Sequence, residues 1–285
     1  MPEEPPILVT DHADVRRILF NRPQVHNAQN TELLESLEEV LEETSRLPDL
    51  RAVILGGTGR SFCSGHDLKE IVTNERYADA IRTAEGRRRW EQRLFVRPVE
   101  MFEDLSVPTI CRVQGNCLAA GMMFMAAADL VIAATDAVFG SPVIQTMAVN
   151  DAEVPYFAWL LGSRRAKQAL WLDDRLSADE ARNLGLVNWV VPPEQLDETI
   201  ESIVDQLLKV PAETLALSKA SLAFMEERRG RRDAARYHFA NHCFSHQTSA
   251  AIRAADARAS RVKTDALESR SAPSREKGSD RVVGV

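Results

Sequence analysis

Two short stretches constrain this chain more than any others. Ser61-Phe62-Cys63-Ser64-Gly65-His66-Asp67-Leu68 follows the apolar, β-branched run Ala52 to Leu55, and Val113-Gln114-Gly115-Asn116-Cys117-Leu118-Ala119-Ala120-Gly121 follows Thr109 to Val113. Each run reads as a strand, and each then turns through glycine and small residues toward a helix. Small residues let a backbone come close to a ligand. A helix N-terminus leaves amide hydrogens unpaired, with a partial positive charge behind them. Two such ends brought together would offer a pair of amide donors to one oxygen that becomes negative during a reaction.

Around these stretches the chain alternates strands and helices without a sequence repeat. Ile7 to Thr10 and Val15 to Phe20 are extended runs parted by Asp11-His12-Ala13-Asp14, a hairpin signal, and Asn21-Arg22-Pro23 breaks the second. From Asn30, a plausible N-cap, Leu33, Leu34, Leu37, Val40, Leu41 and Leu47 fall at helical spacing, until Leu47-Pro48-Asp49 ends the helix. Arg82 to Arg97 reads as a solvated helix whose cluster Arg87-Arg88-Arg89 is an exposed face. Leu130 to Ala133 is a further strand and Ser163 to Leu172 a further helix. Ser177 to Glu180 is a capping box on a helix that Gly185 ends. Such alternation implies an α/β fold with a parallel-rich sheet and crossover helices over 1–192. From Pro193 the character changes: helices are expected at about 194–209, 211–227 and 232–262, with no further strand. Residues 263–285, polar and rich in Ser and Arg, are expected to be disordered.

Composition excludes some function classes. At 285 residues, with 45% hydrophobic and 27% charged side chains, the chain can bury a sizeable core. A net charge of −7 argues against a nucleic-acid partner, which favours a basic surface. Cys63, Cys111, Cys117 and Cys243 form no Cys-x-x-Cys motif and read as buried, reduced thiols of a cytoplasmic protein. Met-Pro-Glu-Glu-Pro-Pro offers no signal-peptide pattern, and the apolar stretch Cys117 to Ala128 is too short to span a bilayer, so no membrane role is expected.

With these residues set out, a resemblance emerges. The first stretch resembles the Phe-x-x-Gly-x-Asp-Leu signature of the crotonase (enoyl-CoA hydratase/isomerase) superfamily. Gly115 to Asp129 is similar to its strand–glycine–helix segment ending in Asp. Asn21-Arg22-Pro23, Phe139-Gly140, Leu161-Gly162 with Ala166, Ser177 to Ala181 and Gly185 to Pro192 match further segments, so the likeness runs from about residue 7 to 260. It implies the crotonase-like (ClpP/crotonase) spiral of ββα units, with the helical part over 193–262 packing at the subunit contacts of a homotrimer or dimer of trimers. It also implies an acyl-CoA or enoyl-CoA substrate, with coenzyme A as part of the substrate and no other cofactor.

The resemblance carries residue roles with it. The thioester carbonyl would meet the backbone amides of His66 and Ala120, and the chemistry would be stabilisation of an enolate. Val25, His26 and Ala28 would line the nucleotide side, with Ser64, Asp67 and Leu68 opposite and Lys69 the nearest cation for a phosphate. The arginine cluster is a weaker candidate for that contact. The family's pair of hydratase glutamates is missing, since Met123 and Val143 occupy those positions and neither can transfer a proton. Asp151 lies eight residues beyond Val143, at the offset where related isomerases and a CoA-dependent dehalogenase hold an aspartate, and Glu153 is the second candidate. Either carboxylate could instead cap the next helix. His66 titrates near neutral pH and could donate a proton, but its side chain reads rather as a polar lid whose amide alone matters.

His238, His242 and His246 repeat at four-residue spacing. One straight helix would hold the first and third about 12 Å apart, too far for one ion, so a partly buried polar stripe is expected and no metal. The function expected is that of an enoyl-CoA hydratase or isomerase-like enzyme. The alternatives are a non-catalytic acyl-CoA-binding protein, or a thioester hydrolase or dehalogenase-like enzyme using Asp151 as nucleophile.

Overall fold

The structure, a computed structural model, describes residues 4–271, with the backbone alone at Val72, Lys263 and 265–271. Strands β1 (Ile7–His12), β2 (Val15–Phe20), β3 (Ala52–Gly57), β4 (Thr109–Val113), β6 (Leu130–Ala134) and β9 (Trp189–Val191) form one sheet in the order β1-β2-β3-β4-β6-β9. Only β1 and β2 are antiparallel, and every other neighbouring pair is parallel. Between β4 and β9 the chain also makes a small second sheet from β5 (Asn116–Leu118), β7 (Val138–Gly140) and β8 (Leu176–Ser177). The mixed α/β fold with a largely parallel sheet is the class that the alternation of strands and helices implied.

The sheet is covered on both faces, which is why its strands read as continuous apolar runs rather than alternating ones. Along β3, Val53 and Leu55 face a core with α1 (Thr31–Thr44), α5 (Arg97–Glu103) and α6 (Ala120–Ala127). Ala52 and Ile54 face the other way, onto Leu196, Ile200 and Val204 of α10 (Leu196–Leu208). Phe20 anchors the first core edge-on to Phe62 and Phe124, with ring centroids 5.7 and 5.6 Å away. Asn30 caps α1 through Leu33 N, and Ser177 and Glu180 complete a reciprocal box at α9 (Ala178–Asn183). Asp129 Oδ2 accepts from Thr109 N at 2.7 Å and from Lys219 Nζ at 2.7 Å, tying the start of β4 to α11 (Ala212–Arg228).

Several expectations need correction. The segment read as one solvated helix is broken: α2 (Glu70–Thr73), α3 (Glu75–Ala80) and α4 (Ala84–Glu91) precede a π turn over 92–96 that leads into α5. Arg87 there is buried, because its guanidinium pairs with Glu91 one turn on. The last helix is also two, α12 (Arg231–Ser245) and α13 (Ser249–Ser271), because Thr248 Oγ1 accepts from Ala251 N and starts a new helix. Finally, α13 carries helix-forming Lys, Ala, Leu and Glu through to Ser271, so 263–271 is helical rather than disordered. The rest of the expected tail, 272–285, lies outside the described residues. Helix α8 (Val154–Leu172) begins earlier than its sequence suggested and bends at Gly162, whose φ of +71° is non-helical. Helix α7 (Val143–Met147) precedes it.

What positions the site is the pairing of the two turns that follow β3 and β4. Phe62 N donates to Gln114 O at 2.7 Å, Cys63 N to Asn116 O at 2.9 Å, and Leu118 N to Cys63 O at 2.9 Å. Gly115 makes this approach possible: its φ is +53°, and a Cβ there would stand 2.0 Å from the Arg60 carbonyl oxygen. Gly115→Ala is therefore expected to cost at least about 2 kcal/mol of stability, read from urea denaturation. An unchanged midpoint would show that the 58–62 segment can give way.

Candidate active site

The paired turns end in two unusual amides. His66 lies opposite Gln29 in an isolated parallel bridge made by Gln29 N to Gly65 O and Asp67 N to Gln29 O, each 2.8 Å, which leaves the His66 amide outside the ladder. Ala119 is held at φ +47° with its amide on Gly140 O at 2.9 Å. Ala120 then opens α6, where a first-turn amide has no intrahelical acceptor. The two are neighbours: a Cβ built on Gly65 would lie 2.8 Å from the Ala119 Cβ and 3.4 Å from Ala120 N. Among the described residues neither the His66 nor the Ala120 amide has a backbone acceptor. Met123 is buried on α6, and Val143 is the first residue of α7, so neither position presents a carboxylate.

Asp151 is fully buried between α7 and α8. Its Oδ2 accepts a short hydrogen bond from Ser141 Oγ, and its Oδ1 accepts from Glu153 N at 3.3 Å, at the entry to α8. That bond goes to the amide of the N-cap residue Glu153 itself, so Asp151 orders the entry to α8 without capping a helical amide. Burial pushes the Asp151 carboxyl up to about 6, and the Ser141 bond only partly offsets this. Glu153 is the N-cap residue of α8, and its buried Oε2 has no partner among the described residues.

The histidine stripe of α12 explains how this loop is held. His238 Nε2 lies 2.7 Å from Asp151 O, His242 Nδ1 lies 2.7 Å from Asn150 O, and Asn150 N donates to Ser245 Oγ at 2.8 Å. A carbonyl can only accept, so His242 Nδ1 carries a hydrogen. Its Nε2 faces Glu91 Oε2 at 3.2 Å, while Arg87 Nη1 donates to Glu91 Oε1 at 2.7 Å. Burial alone would raise the Glu91 carboxyl, but the His242 hydrogen bond and the charges of His242 and Arg87 hold it down at about 2. Burial likewise opposes the charge on His242, and the Glu91 carboxylate outweighs it, raising His242 above its ordinary value. The result is a buried ion pair. Nothing in the sequence singled out Glu91; the only available sign was Arg87 one turn earlier, at ion-pair spacing.

Glu91, His242 and His246 bring three ligand atoms within 4.8 Å of one another. That set could hold a transition metal. The Arg87 guanidinium already sits on the same carboxylate, however, and a divalent ion would stand beside that cation. His66 closes the cluster from the other side, its ring stacked on Phe95 at 3.6 Å between centroids. Burial lowers its imidazole to about 4, opposed by the charges of Glu91 and Asp67 and assisted by that of His242.

The residues expected on the nucleotide side come together on two loops. Arg22 bridges them, with Nη2 3.1 Å from Asp67 Oδ2 and Nη1 on Ala28 O. Asp67 Oδ1 accepts from Lys69 N at 3.1 Å, so this carboxylate orders the loop. His26, at φ +54°, places Nδ1 2.9 Å from Ser61 Oγ, and Ser64 Oγ donates to Val25 O at 3.4 Å. Val25, Leu68 and Lys69 are exposed. An open groove of about 680 Å³ along α5, lined by Leu41, Arg89, Arg93 and Arg97 among others, shares none of these residues.

The family model for enoyl-CoA hydratase/isomerase matches residues 10–259, and the chain belongs to that family. Among curated proteins it is similar to the 1,2-epoxyphenylacetyl-CoA isomerase of Escherichia coli, at 31% identity over 73% of this chain and 78% of that protein. It is similar also to the short-chain-enoyl-CoA hydratase of Clostridium acetobutylicum, at 29% identity over 76% and 80%. Among solved structures, an enoyl-CoA hydratase/isomerase from Xanthobacter autotrophicus Py2 superposes with a TM-score of 0.81 at 26% identity, covering 93% of this chain and 97% of that one. No helix among the described residues is long and apolar enough to cross a membrane.

The raised Asp151 carboxyl carries a pH signature. A carboxyl whose folded value, about 6, exceeds its ordinary 3.8 favours folding only while protonated, so that contribution is full below about pH 4 and lost as pH rises through 6. Asp151→Asn removes the charge, so its stability relative to the parent should rise between pH 4 and 7, by an amount on the order of 2–3 kcal/mol. Parallel urea curves at several pH values measure this, and a difference that does not change with pH would place the Asp151 titration elsewhere.

Proposed function

We propose that this chain is an acyl-CoA-processing enzyme of isomerase type, in which Asp151 moves a proton next to a thioester held by the amides of His66 and Ala120. The observation that carries this reading is Asp151 itself: a buried carboxyl whose pKa lies near 6, on a loop clamped by α12. At neutral pH most of it is a carboxylate, ready to take a proton from carbon and return it one or two carbons away. Charge that develops on the thioester oxygen meanwhile meets two preorganised amide dipoles, whose benefit is largest where water is excluded. A hydratase also needs a group to activate water, and Met123 and Val143 cannot do that. Shuttling one proton needs only one base.

CoA is proposed to lie across Val25, His26 and Ala28 on one side and Ser64, Leu68 and Lys69 on the other. The short-chain-enoyl-CoA hydratase and the epoxyphenylacetyl-CoA isomerase among the relatives support a CoA thioester as substrate. The losses at Met123 and Val143 favour a second reading, a non-catalytic acyl-CoA binder. Turnover of 2-enoyl-, 3-enoyl- and dienoyl-CoAs separates the two. The 3-enoyl ester should react, and Asp151→Asn should slow it by about 100-fold or more while ester binding is kept, with Glu153→Gln affecting it less. Tight binding without turnover of any ester would leave the binder.

A homotrimer or dimer of trimers is proposed on the strength of exposed apolar side chains on α8 and α11. Trp171, Leu172, Leu217, Leu222 and Phe224 are each at least 61% exposed, a surface that invites a partner. Sedimentation equilibrium should give three or six times the chain mass of 31.8 kDa. A species of one chain mass at micromolar concentration would overturn this.

A further inference from the structure

Three buried side chains outside the proposed substrate contacts, Arg87, Glu91 and His242, are joined in one run that ends at Asp151. Arg87 Nη1 donates to Glu91 Oε1 at 2.7 Å, one turn along α4, and the other carboxylate oxygen faces His242 Nε2 at 3.2 Å. The opposite nitrogen of that ring, Nδ1, lies 2.7 Å from Asn150 O, and His238 Nε2 lies 2.7 Å from Asp151 O. The carbonyls of residues 150 and 151 belong to the two planar peptide units on either side of the Asp151 Cα. Holding both therefore fixes the direction in which the Asp151 side chain leaves the backbone.

We infer that Glu91 is a positioning residue for Asp151, given that Asp151 is the base proposed above: it sets the His242 ring, and through the Asn150 carbonyl it aims the Asp151 carboxyl. A histidine ring can turn over about its own axis and can carry its hydrogen on either nitrogen. Here a carbonyl stands on one side and a carboxylate on the other, and both only accept. The ring satisfies the two together only in the orientation observed, with a hydrogen on each nitrogen. Its other ring neighbours, Phe239 and His246, stand 6.1 and 4.9 Å away between centroids and make no hydrogen bond to it among the described residues. Without Glu91 nothing selects the orientation that keeps Nδ1 on the Asn150 carbonyl. Arg87 holds the carboxylate in its turn, so the run repeats the logic of a base oriented by a third group, carried one step further along the backbone. Ser141 and the Glu153 amide still hold the Asp151 carboxyl itself, so losing Glu91 misplaces the base without releasing it. Turnover should suffer, and binding of the ester should not.

Turnover of a 3-enoyl-CoA by the full chain tests this in two variants. The double variant Arg87→Met with Glu91→Met removes the buried pair as a unit, a change that folded proteins often tolerate when apolar side chains take its place. Its urea midpoint should stay near that of the parent, while kcat falls by roughly tenfold or more and KM stays within about twofold. Glu91→Gln can accept from Arg87 and donate to His242 Nε2 while the Nδ1 hydrogen stays on Asn150 O, so it should keep kcat within about threefold. A stable double variant with the parent's kcat overturns the proposal. So does a loss of tenfold or more in Glu91→Gln, and that variant decides the matter if the double one does not fold. Stoichiometric zinc in the isolated protein, held by Glu91, His242 and His246, would also overturn it, since Glu91 would then serve a metal. Turnover that Asp151→Asn abolishes and the double variant spares overturns the role of Glu91 alone. No turnover by the parent, or turnover that Asp151→Asn leaves untouched, overturns the reading of Asp151 together with it.

Discussion

Everything at this site depends on a backbone contact between two turns that are far apart in sequence. The hydrogen bonds from Phe62, Cys63 and Leu118 draw the segments after β3 and β4 together, and a glycine at 115 removes the one atom that would keep them apart. The sheet sets the directions of the incoming strands, and the cores on both faces hold the sheet. Because Val53 and Leu55 are locked into one core and Ala52 and Ile54 into the other, β3 cannot slide without exposing a whole face. The position of two small amides is therefore inherited from the packing of large apolar side chains. That is an economical way to hold polar atoms in place, since the backbone itself needs no rotamer to be chosen.

Much of this was legible in the residues. The strand–glycine–helix pattern and the apolar runs of β3, β4 and β6 reveal the parallel sheet, and the Ser177–Glu180 box marks its helix directly. The break at 246–248 was less visible, because a Thr that caps the following helix looks the same in sequence as a Thr within one. Arg87 was misread for a related reason. Three successive arginines look like a solvated face, yet successive residues on a helix point about 100° apart, so one of the three can turn inward while the others stay in water. Glu91 could not be identified at all, because its partner His242 is 151 residues away. Long-range pairing of charged groups leaves no local pattern.

The electrostatics divide the carboxyls of the interior into two kinds. Glu91, between a guanidinium and an imidazole, is held ionised, whereas Asp151, facing a hydroxyl and a backbone amide, is pushed toward its neutral form. The same degree of burial therefore has opposite results, decided by whether a positively charged side chain bonds the carboxylate directly, as Arg87 and His242 do for Glu91. A salt-bridged carboxylate contributes a fixed field. A carboxyl near its midpoint contributes a proton that can leave and return.

The loop carrying Asp151 is fastened by His238, His242 and Ser245, which all lie on α12. A ribosome delivers those residues almost a hundred positions after the loop. During synthesis the sheet and the paired turns can assemble first, while Asn150 and Asp151 still lack the helix that receives their carbonyls. The fold therefore matures in an enforced sequence, with the scaffold early and the Asp151 carboxyl fixed in place only when the C-terminal helices dock. A nascent chain interrupted before residue 238 would keep its architecture largely intact and lack the fastening that gives Asp151 a defined position.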